Sequence, residues 1–401
     1  MEVLELLESV QQEAATVQKL FGDAGVRTPT RRGQTNTTYM KALQETAKLL
    51  ADVKVGRQPM WMLQEAMSTS DFPILFGDVL DRVMLARYER IPEEWRSYAR
   101  FTTVRNFLPQ EIQKNWGLGS EGLLEEVKEL EEYPERAIEE QARVTWRVKK
   151  YGARIGLSWE MIVNDENGFF GDLPDRLAEA ARRTEVNLVS TQFIGLTGFN
   201  TSLYNNTNGN IVNIANGAAT NNPPLSITAL QDAMTVLSNM RDEDGQPIFI
   251  DMVTLVVPPA LEIPARNLLN AIQLEITQAP GVRDGGSGEQ RLIVQNWMRN
   301  RLQLVVNPYI PIRATSNQNT TWFLFAAPTA GRGAIWLGGL RGREAPELFI
   351  KEPNARRIGG GQVNPLDGDY DTDAVQYKVR LVRGVTTVDP KLTVASNGSG
   401  A

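Results

Sequence analysis

Four acidic residues lie close together near the middle of the chain, and carboxylates are the side chains that bind divalent cations or perform acid–base catalysis. They stand among two glycines and two asparagines, and they are Asp165, Glu166, Asp172 and Asp175. Alignment of Gly168 with the invariant glycine of a calcium-binding loop places Val163 and Pro174 at the first and last ligand positions, which excludes that loop. The spacing instead favours a helix start in which Asp172 is the N-cap, Pro174 lies in the first turn and Asp175 occupies the third position.

A second acidic group, Asp242, Glu243 and Asp244, has the composition of a polar helix end closed by Gly245. A weak cation site is the alternative interpretation of this loop. A carboxylate-only or metal-dependent hydrolase that uses the acids of either group is therefore one hypothesis for the function.

Cysteine and histidine are both absent from the sequence. Their absence excludes disulfides, thiolate nucleophiles and a Ser-His-Asp triad, and it removes the commonest metal ligands. The glycine-rich stretches GVRDGGSGEQ and RRIGGGQVN lack the Lys-Ser/Thr ending of a phosphate-binding loop, and we expect no cofactor. We interpret both stretches as flexible loops, with Arg356 and Arg357 available to contact an acidic partner.

Length and charge narrow the class of protein. The chain has 401 residues, which favours two or three domains. A net charge of -6 argues against tight, sequence-directed binding of nucleic acid, for which a basic stripe is typical. The N-terminal segment lacks the basic start of a secretory signal, and no stretch approaches the ~20 apolar residues of a membrane span. We expect a soluble protein made in a cytoplasm, with no membrane contact.

The first hundred residues read as helices joined by linkers. A heptad pattern runs from Val3 to Phe21, and helical patterns follow over 38–55 and 74–90. Such a segment needs another surface on which to bury its apolar stripes.

The next sixty residues favour β-structure. FTTVRNFLP is strand-like, and RVTWRVKKYGARIGLSW alternates along its length, with a slip at Lys149-Lys150 that predicts a bulge or bend. Together they predict a long two-stranded excursion over 101–157. A hairpin of this length is not stable alone in water, and the sequence offers no evident second layer for it.

The tip of this excursion is acidic from Glu121 to Glu140. A solvated face and a surface that docks on basic residues of a neighbouring subunit are both open interpretations. In the second interpretation, Trp116 and Tyr133 are apolar anchors among acidic residues. The interface then comprises Trp116, Glu125, Glu126, Glu129 and Tyr133.

The second half of the chain mixes helices with short strands. Thr228–Arg241 has a helical pattern in which Thr228 and Gln231 fit a capping box. DMVTLVV reads as a buried strand, and Pro258-Pro259 open the next helix. Several short strands and one long alternating strand, AVQYKVRLVRGVTTV, complete the pattern.

The order of these elements resembles that of tailed-bacteriophage major capsid proteins, and more closely the Mu-type major head subunits. The matching phrases span residues 71 to about 390. They are DFPILFGDVLDRVMLARYERIPEEW, LEEVKELEEYPE, YGARIGLSWEMIVNDENGFFGDLPDRLAEAARRTE, TLVVPPALEIPARNLL, LQLVVNPYI and APELFIKEP.

The resemblance implies an α+β fold of the tailed-phage major capsid type. It comprises an N-terminal arm over 1–100 and an extended β-hairpin loop, the E-loop, over 101–157. A peripheral domain comprises 158–204 and 346–401, with a long spine helix over 172–194, and an axial α/β domain comprises 205–345. In the family, the E-loop lies over a neighbouring subunit.

The function that the resemblance implies is structural, not enzymatic. Copies would assemble into pentamers and hexamers of an icosahedral head, which expands from a procapsid as double-stranded DNA is packaged. The implied partners are further copies, a portal, a scaffold or maturation protease, DNA contacted non-specifically, and a decoration protein. The implied location is the virion shell, assembled in the bacterial host cytoplasm. No motif pairs Lys114 or Lys128 with an asparagine, so we predict no isopeptide crosslink. A minor virion or decoration protein is the alternative.

Overall fold

The computed structural model describes residues 45–49, 52, 57–58, 62, 72–113, 124, 126–130, 132–133, 143–158, 160–161, 169–212, 222–242, 245–271, 273–278, 290–296, 298, 301–328, 332–352, 354, 358 and 368–400. The chain divides into two compact units, each built from three stretches. Unit 1 comprises Met1–Pro92, Lys150–Arg183 and Leu340–Val382, and unit 2 comprises Glu93–Lys149, Thr184–Gly339 and Arg383–Ala401. The heptad helix predicted at the N-terminus lies outside the described residues.

Five α-helices and fifteen strands have defined bounds in the described part of the chain, and residues 45–49 are helical as well. The helices are α1 (Phe72–Arg90), α2 (Phe169–Phe193), α3 (Ile227–Ser238), α4 (Glu262–Asn270) and α5 (Tyr309–Arg313). The strands of the first half are β1 (Ala99–Val104), β2 (Gln110–Gln113), β3 (Arg143–Trp146), β4 (Lys149–Ser158), β5 (Ile194–Gly195) and β6 (Gly198–Phe199). Those of the second half are β7 (Val253–Val257), β8 (Gln273–Gln278), β9 (Gln290–Gln295), β10 (Leu302–Val306), β11 (Trp322–Ala326), β12 (Ile335–Leu340), β13 (Glu347–Ile350), β14 (Ala374–Thr387) and β15 (Thr393–Ser396).

Unit 1 is a small sheet with helices packed on one face. β13 pairs antiparallel with the first half of β14, and β4 also pairs with β14. Alternate residues of these strands point into the core, where they meet α1 and the first half of α2. The core comprises Leu80, Met84, Tyr88, Leu157, Leu173, Leu177, Ala178, Ala181, Val375, Tyr377, Val379 and Leu381. Helix α1 confirms the helix predicted over 74–90, and it ends before Pro92 because proline disfavours helix in the residue that precedes it.

The central sheet of unit 2 has the strand order β10–β7–β11–β15. β10 runs parallel to β7, and β11 runs antiparallel to both β7 and β15. All five residues of β7 are buried, as in a strand that is covered on both faces. Leu255 belongs to the core formed with α3 and α4, whereas Val256 belongs to the core formed with the end of α2. The sequence DMVTLVV therefore gives the buried strand predicted for it.

An aromatic cluster fills the core beside α2 in unit 2. The rings of Phe193 and Phe323 meet edge to face with centroids 4.8 Å apart, and Tyr98 lies 5.2 Å from Phe325. All four side chains are fully buried. Aromatic pairs of this kind add about 0.5–1.5 kcal/mol beyond the area that they bury, so the cluster fixes the end of α2 in its unit.

The predicted excursion differs in one respect from its expected form. β2 and β3 pair antiparallel as a two-stranded ladder, with Gln110 opposite Trp146. However, β1 joins β12 and β4 joins β14, so the same chain provides partners at the base of the excursion. The expectation that the chain offers nothing to support it is wrong for these two strands, because alternation in one segment does not show which distant strand it pairs with. The bulge or bend predicted at Lys149-Lys150 is wrong in position: the strand is interrupted at Arg147-Val148, between β3 and β4, and Lys149-Lys150 are the first residues of β4.

Two helix starts also differ from the predictions. The helix predicted over 172–194 is confirmed as α2, but it begins at Phe169, so Asp172 lies in its first turn and is not the N-cap. Pro174 lies inside this helix. The sequence pattern instead predicts Pro174 in the first turn. In α3 the N-cap is Ser226, whose side chain accepts a hydrogen bond from the Ala229 backbone N–H at 3.1 Å, and not Thr228.

Candidate functional site

The acidic groups do not assemble into a reactive site in the described residues. Asp165, Glu166 and Asp244 lie outside those residues, and Asp172 lies within α2. No group of three or more acidic side chains with metal-binding geometry occurs in the part of the chain that the structure describes.

Asp242 closes a turn. Its Oδ1 accepts a hydrogen bond from the Gln246 backbone N–H at 2.8 Å, and its Oδ2 lies 3.7 Å from Arg332. Gly245 has a φ of 80°, which glycine adopts without strain. The contacts of Asp242 are those of a turn, and they do not support the cation site. The predicted helix end at Gly245 is wrong, because α3 ends at Ser238 with Asn239 as its C-cap.

The base of the excursion is anchored in unit 2 by one aromatic side chain. Trp146, at the end of β3, is 7% exposed and its ring lies against Gly338 of β12. A Cβ atom at Gly338 would overlap that ring. Val104, at the end of β1, contacts the same position. The glycine therefore creates the space in which the excursion is attached to the sheet.

The rest of the excursion exposes apolar and acidic side chains together. Phe107, Leu108, Leu124, Leu130 and Tyr133 are exposed large hydrophobic residues, and Leu130 is 103% exposed and Tyr133 82%. Glu126 and Glu129 are exposed beside them, which the solvated-face interpretation and the docking interpretation both require. Of the other predicted interface residues, Trp116, Glu125, Arg356 and Arg357 lie outside the described residues.

A buried ion pair joins α2 to the long strand within unit 2. Arg383 Nε donates a hydrogen bond to Glu185 Oε1 at 2.7 Å, and the two side chains are 3% and 0% exposed. The Arg383 guanidinium also lies 5.6 Å from the Phe101 ring centroid. Because an unpaired charge in this position would be very unfavourable, each residue depends on the other.

The pattern analysis did not single out this pair, but a signal for it exists. Glu185 lies four residues after Ala181 and four before Val189, at the spacing of the buried face of α2. Arg383 likewise occupies an alternate, inward position after Val379 and Leu381 in β14. A charged residue at an apolar position in both elements predicts that the two charges meet.

Polar contacts continue along the buried side of α2 in unit 2. Asn307 Nδ2 donates to Ser190 Oγ at 2.9 Å, and Arg313 donates to Asn187 Oδ1 through two nitrogens at 3.0 and 3.1 Å. Burial raises the pKa of the Tyr98 phenol, with a further contribution from the Glu94 charge, while a hydrogen bond with Asn307 opposes the rise. The phenol is therefore protonated at neutral pH. These hydrogen bonds specify the orientation of α2 more closely than apolar contacts alone.

In unit 1, Arg182 of α2 contacts Tyr88 of α1. Arg182 Nη2 donates to the Tyr88 carbonyl oxygen at 2.8 Å, and its Cζ lies 3.9 Å from the Tyr88 ring centroid. Both residues are buried. This contact ties α2 to α1 through a guanidinium that is hydrogen-bonded and stacked at once.

A charged clasp in unit 1 joins residues on either side of the segment that contains Arg356 and Arg357. Lys351 Nζ pairs with Asp369 Oδ2, and the Asn354 backbone N–H donates to Asp369 Oδ1 at 3.3 Å. The hydrogen bond from Lys351 is the largest cause of the lowered pKa of the Asp369 carboxyl.

No membrane-spanning helix is found among the described helices.

Comparison with known proteins gives one family match. The model of a family described as phage capsid protein matches residues 141–396, well over half of the chain. No curated protein matches the chain.

Three of the solved structures that match the chain are the following. The capsid of an empty GTA particle is 12% identical, with 76% of this chain and 88% of that chain covered and a TM-score of 0.41. A chain of Gordonia phage Cozz is 13% identical, with 74% and 83% covered and a TM-score of 0.39. A chain from the procapsid of satellite phage P4, solved with its size determination protein, is 12% identical, with 96% of each chain covered and a TM-score of 0.37.

Proposed function

Because the chain belongs to the phage capsid protein family, we propose that, as the major capsid protein of a phage head, it assembles into pentamers and hexamers that close an icosahedral shell. The family match over residues 141–396 is the observation that carries this function. The role of the family is structural and not enzymatic, and its place is the shell of the virion. The hydrolase hypothesis is therefore rejected.

Each of the four predicted parts of the chain has its own role in the shell. The N-terminal arm (1–100) and the E-loop (101–157) reach other subunits, the peripheral domain (158–204 and 346–401) holds the spine helix, and the axial domain (205–345) lies at the centre of each capsomer. The exposed Leu130 and Tyr133 support a contact between copies, because a monomer would leave these side chains in water. The Mu-type grouping is part of the same proposal.

Assembly proceeds through a procapsid that expands as double-stranded DNA enters. Further partners are a portal, a scaffold or maturation protease, and a decoration protein, and assembly takes place in the bacterial host cytoplasm. The net charge of -6 supports non-specific and weak contact with DNA, because a shell that neutralised many phosphates would retain its genome.

Electron microscopy of the purified, full-length protein tests this function. We expect rings of five or six copies, or closed shells, whose abundance rises with protein concentration. Sedimentation velocity at the same concentrations measures the assembled fraction. A particle that stays strictly monomeric at high concentration would contradict the proposal.

A further inference from the structure

One aromatic side chain projects from unit 2 on the loop that precedes β7. Phe249 is 90% exposed, whereas Ile248 is buried and Ile250 packs against the same core. The two isoleucines anchor the loop from below, so the phenyl ring between them faces outward. The chain by itself leaves this ring in water.

Backbone hydrogen bonds fix the loop on both sides of the ring. The Ile248 N–H donates to the Met240 carbonyl oxygen at 3.4 Å, and the Ala327 N–H donates to the Met252 carbonyl oxygen at 2.9 Å. A loop that is already ordered loses little conformational freedom when it binds. Phe249 is therefore presented in advance of any contact.

A cavity of about 210 Å³ lies beside this ring. Its lining is mostly apolar and includes Ala326, Ala327 and Leu392, together with Arg332. An apolar cavity of about 150 Å³ is large enough to accept a benzene ring. A guanidinium in the wall also favours an aromatic occupant, because it can stack on the face of the ring. The cavity thus fits a phenyl side chain.

One charge of each sign lies on either side of the ring. Arg241 forms an isolated β-bridge with Pro247, and Asp251 follows Phe249 by two residues. Both charged side chains are exposed, and neither has an ion pair within the part of the chain that the structure describes. We call Phe249, its neighbouring cavity, Arg241 and Asp251 the Phe249 patch.

This patch is complementary to itself. It carries a projecting ring and a cavity that fits a ring, and it carries an unpaired acid and an unpaired base. A two-fold axis through such a patch brings each group of one copy to its counterpart on the other. A polyanion or a strongly basic partner would match only one of the two charges.

We propose that the Phe249 patch is an isologous contact between two copies of this chain. Each copy inserts its Phe249 ring into the cavity of the other and pairs its Asp251 with Arg241 of the other. The inference rests on the proposed shell function and adds one contact to it. Rings of five or six copies need heterologous contacts, whereas this contact is isologous, so it joins two neighbouring rings.

Removal of the ring tests the contact in the full-length protein. Phe249→Ala is expected to lower the yield of closed shells by ~10-fold or more and to leave single rings, because a central aromatic anchor is lost. Electron microscopy counts shells and rings, and sedimentation velocity measures their proportions. The matched control is Ile312→Ala, an apolar side chain of unit 2 that is 74% exposed and lies outside the patch. It should form shells like the unaltered protein.

A charge exchange between copies tests the two-fold arrangement. Asp251→Arg and Arg241→Asp should each lower the yield of shells at low salt, because like charges then meet across the axis. In an equal mixture of the two variants, every pair across the axis is again of opposite charge, so shells should return. Recovery in the mixture also shows that both variants are folded. A pair formed within one chain would not recover on mixing.

The outcomes separate this contact from the shell function. Normal shells from Phe249→Ala, an equal loss in Ile312→Ala, or no recovery in the charge mixture would each overturn the contact and leave the shell function intact. Phage particles with Phe249→Ala that keep normal shells but lose another virion protein would assign the patch to that protein, which also overturns the contact. If the unaltered protein forms dimers that Phe249→Ala abolishes, but forms no rings or shells, the contact stands and the shell function fails.

Discussion

Glu185 and Arg383 place two opposite charges in the interior of unit 2. Each charge is tolerated there because the other one neutralises it. Replacement of Glu185 by Leu would leave the Arg383 guanidinium buried without its partner, at a cost of about 3–5 kcal/mol in the free energy of unfolding. The double variant Glu185→Leu/Arg383→Met should recover most of that loss, because two apolar groups of similar size need no hydrogen bonds. Urea unfolding followed by tryptophan fluorescence compares the three proteins. Equal losses in the single and double variants would contradict this account.

Asp369 makes the clasp of unit 1 dependent on pH. Its pKa is lowered in the folded protein, chiefly by the Lys351 hydrogen bond, so the clasp is fully formed above the ordinary aspartate pKa and is lost as pH falls through the lowered value. We expect the amides of Asn354 and Tyr370 to exchange hydrogen faster in Asp369→Asn than in the unaltered protein at neutral pH. This difference should shrink as pH falls below the ordinary aspartate pKa, and it should disappear once pH is below the lowered value, where Asp369 is protonated in the folded protein as well.

Hydrogen exchange of the two proteins, measured by mass spectrometry at matched pH, checks that expectation. Asparagine has the shape of aspartate but no charge, so it isolates the ionic part of the contact. A difference that persists unchanged into strong acid would show that the clasp does not depend on the carboxylate charge.

Among the elements, α3 tests which side chain caps a helix. Ser226→Ala should lower the free energy of unfolding by about 1 kcal/mol, because the Ala229 N–H loses its acceptor. Thr228→Ala should be neutral or slightly stabilising, since Thr228 is exposed inside the helix and alanine favours helix. Thermal unfolding of both variants under identical conditions makes the comparison. A larger loss at Thr228 would favour the capping box that the sequence suggests.

The attachment of the excursion is a second test at this scale. Gly338→Ala should cost about 1–3 kcal/mol, because the new methyl group overlaps the Trp146 ring in a packed site. Gly156→Ala in β4 is the matched control, since nothing lies within 4 Å of a Cβ atom there. The free energies of unfolding of the two variants should therefore differ clearly. An equal effect at both glycines would mean that Trp146 does not hold the excursion.

These elements also show what the sequence could and could not predict. Periodicity predicted α1, α2 and β7 because their apolar positions repeat within a few residues. It could not predict that β4 pairs with β14, since pairing over more than two hundred residues leaves no local pattern. The N-cap of α3 was predicted wrongly because Ser226 and Thr228 are both suitable N-cap residues. Only the path of the backbone decides which of the two caps the helix. Glu185 was missed because a charged residue in a helix normally faces water.

At the scale of the whole molecule, abundance separates a shell protein from a minor one. A major capsid protein has to be the most abundant protein of the virion, whereas a minor or decoration protein can be present in far fewer copies. Quantitative gel staining or mass spectrometry of purified particles measures this ratio. We expect this chain to exceed every other virion component, and a lower ratio would favour the alternative.

Each unit is assembled from three separate stretches, and this has a consequence for synthesis on the ribosome. Unit 1 needs Leu340–Val382 and unit 2 needs Arg383–Ala401, so neither can complete its fold until nearly the whole chain has been translated. Until then, β11 would expose apolar surface without its late partner β15. A chain dominated by such non-local pairings folds slowly. We therefore expect the nascent protein to depend on chaperones during the interval before its last strand emerges.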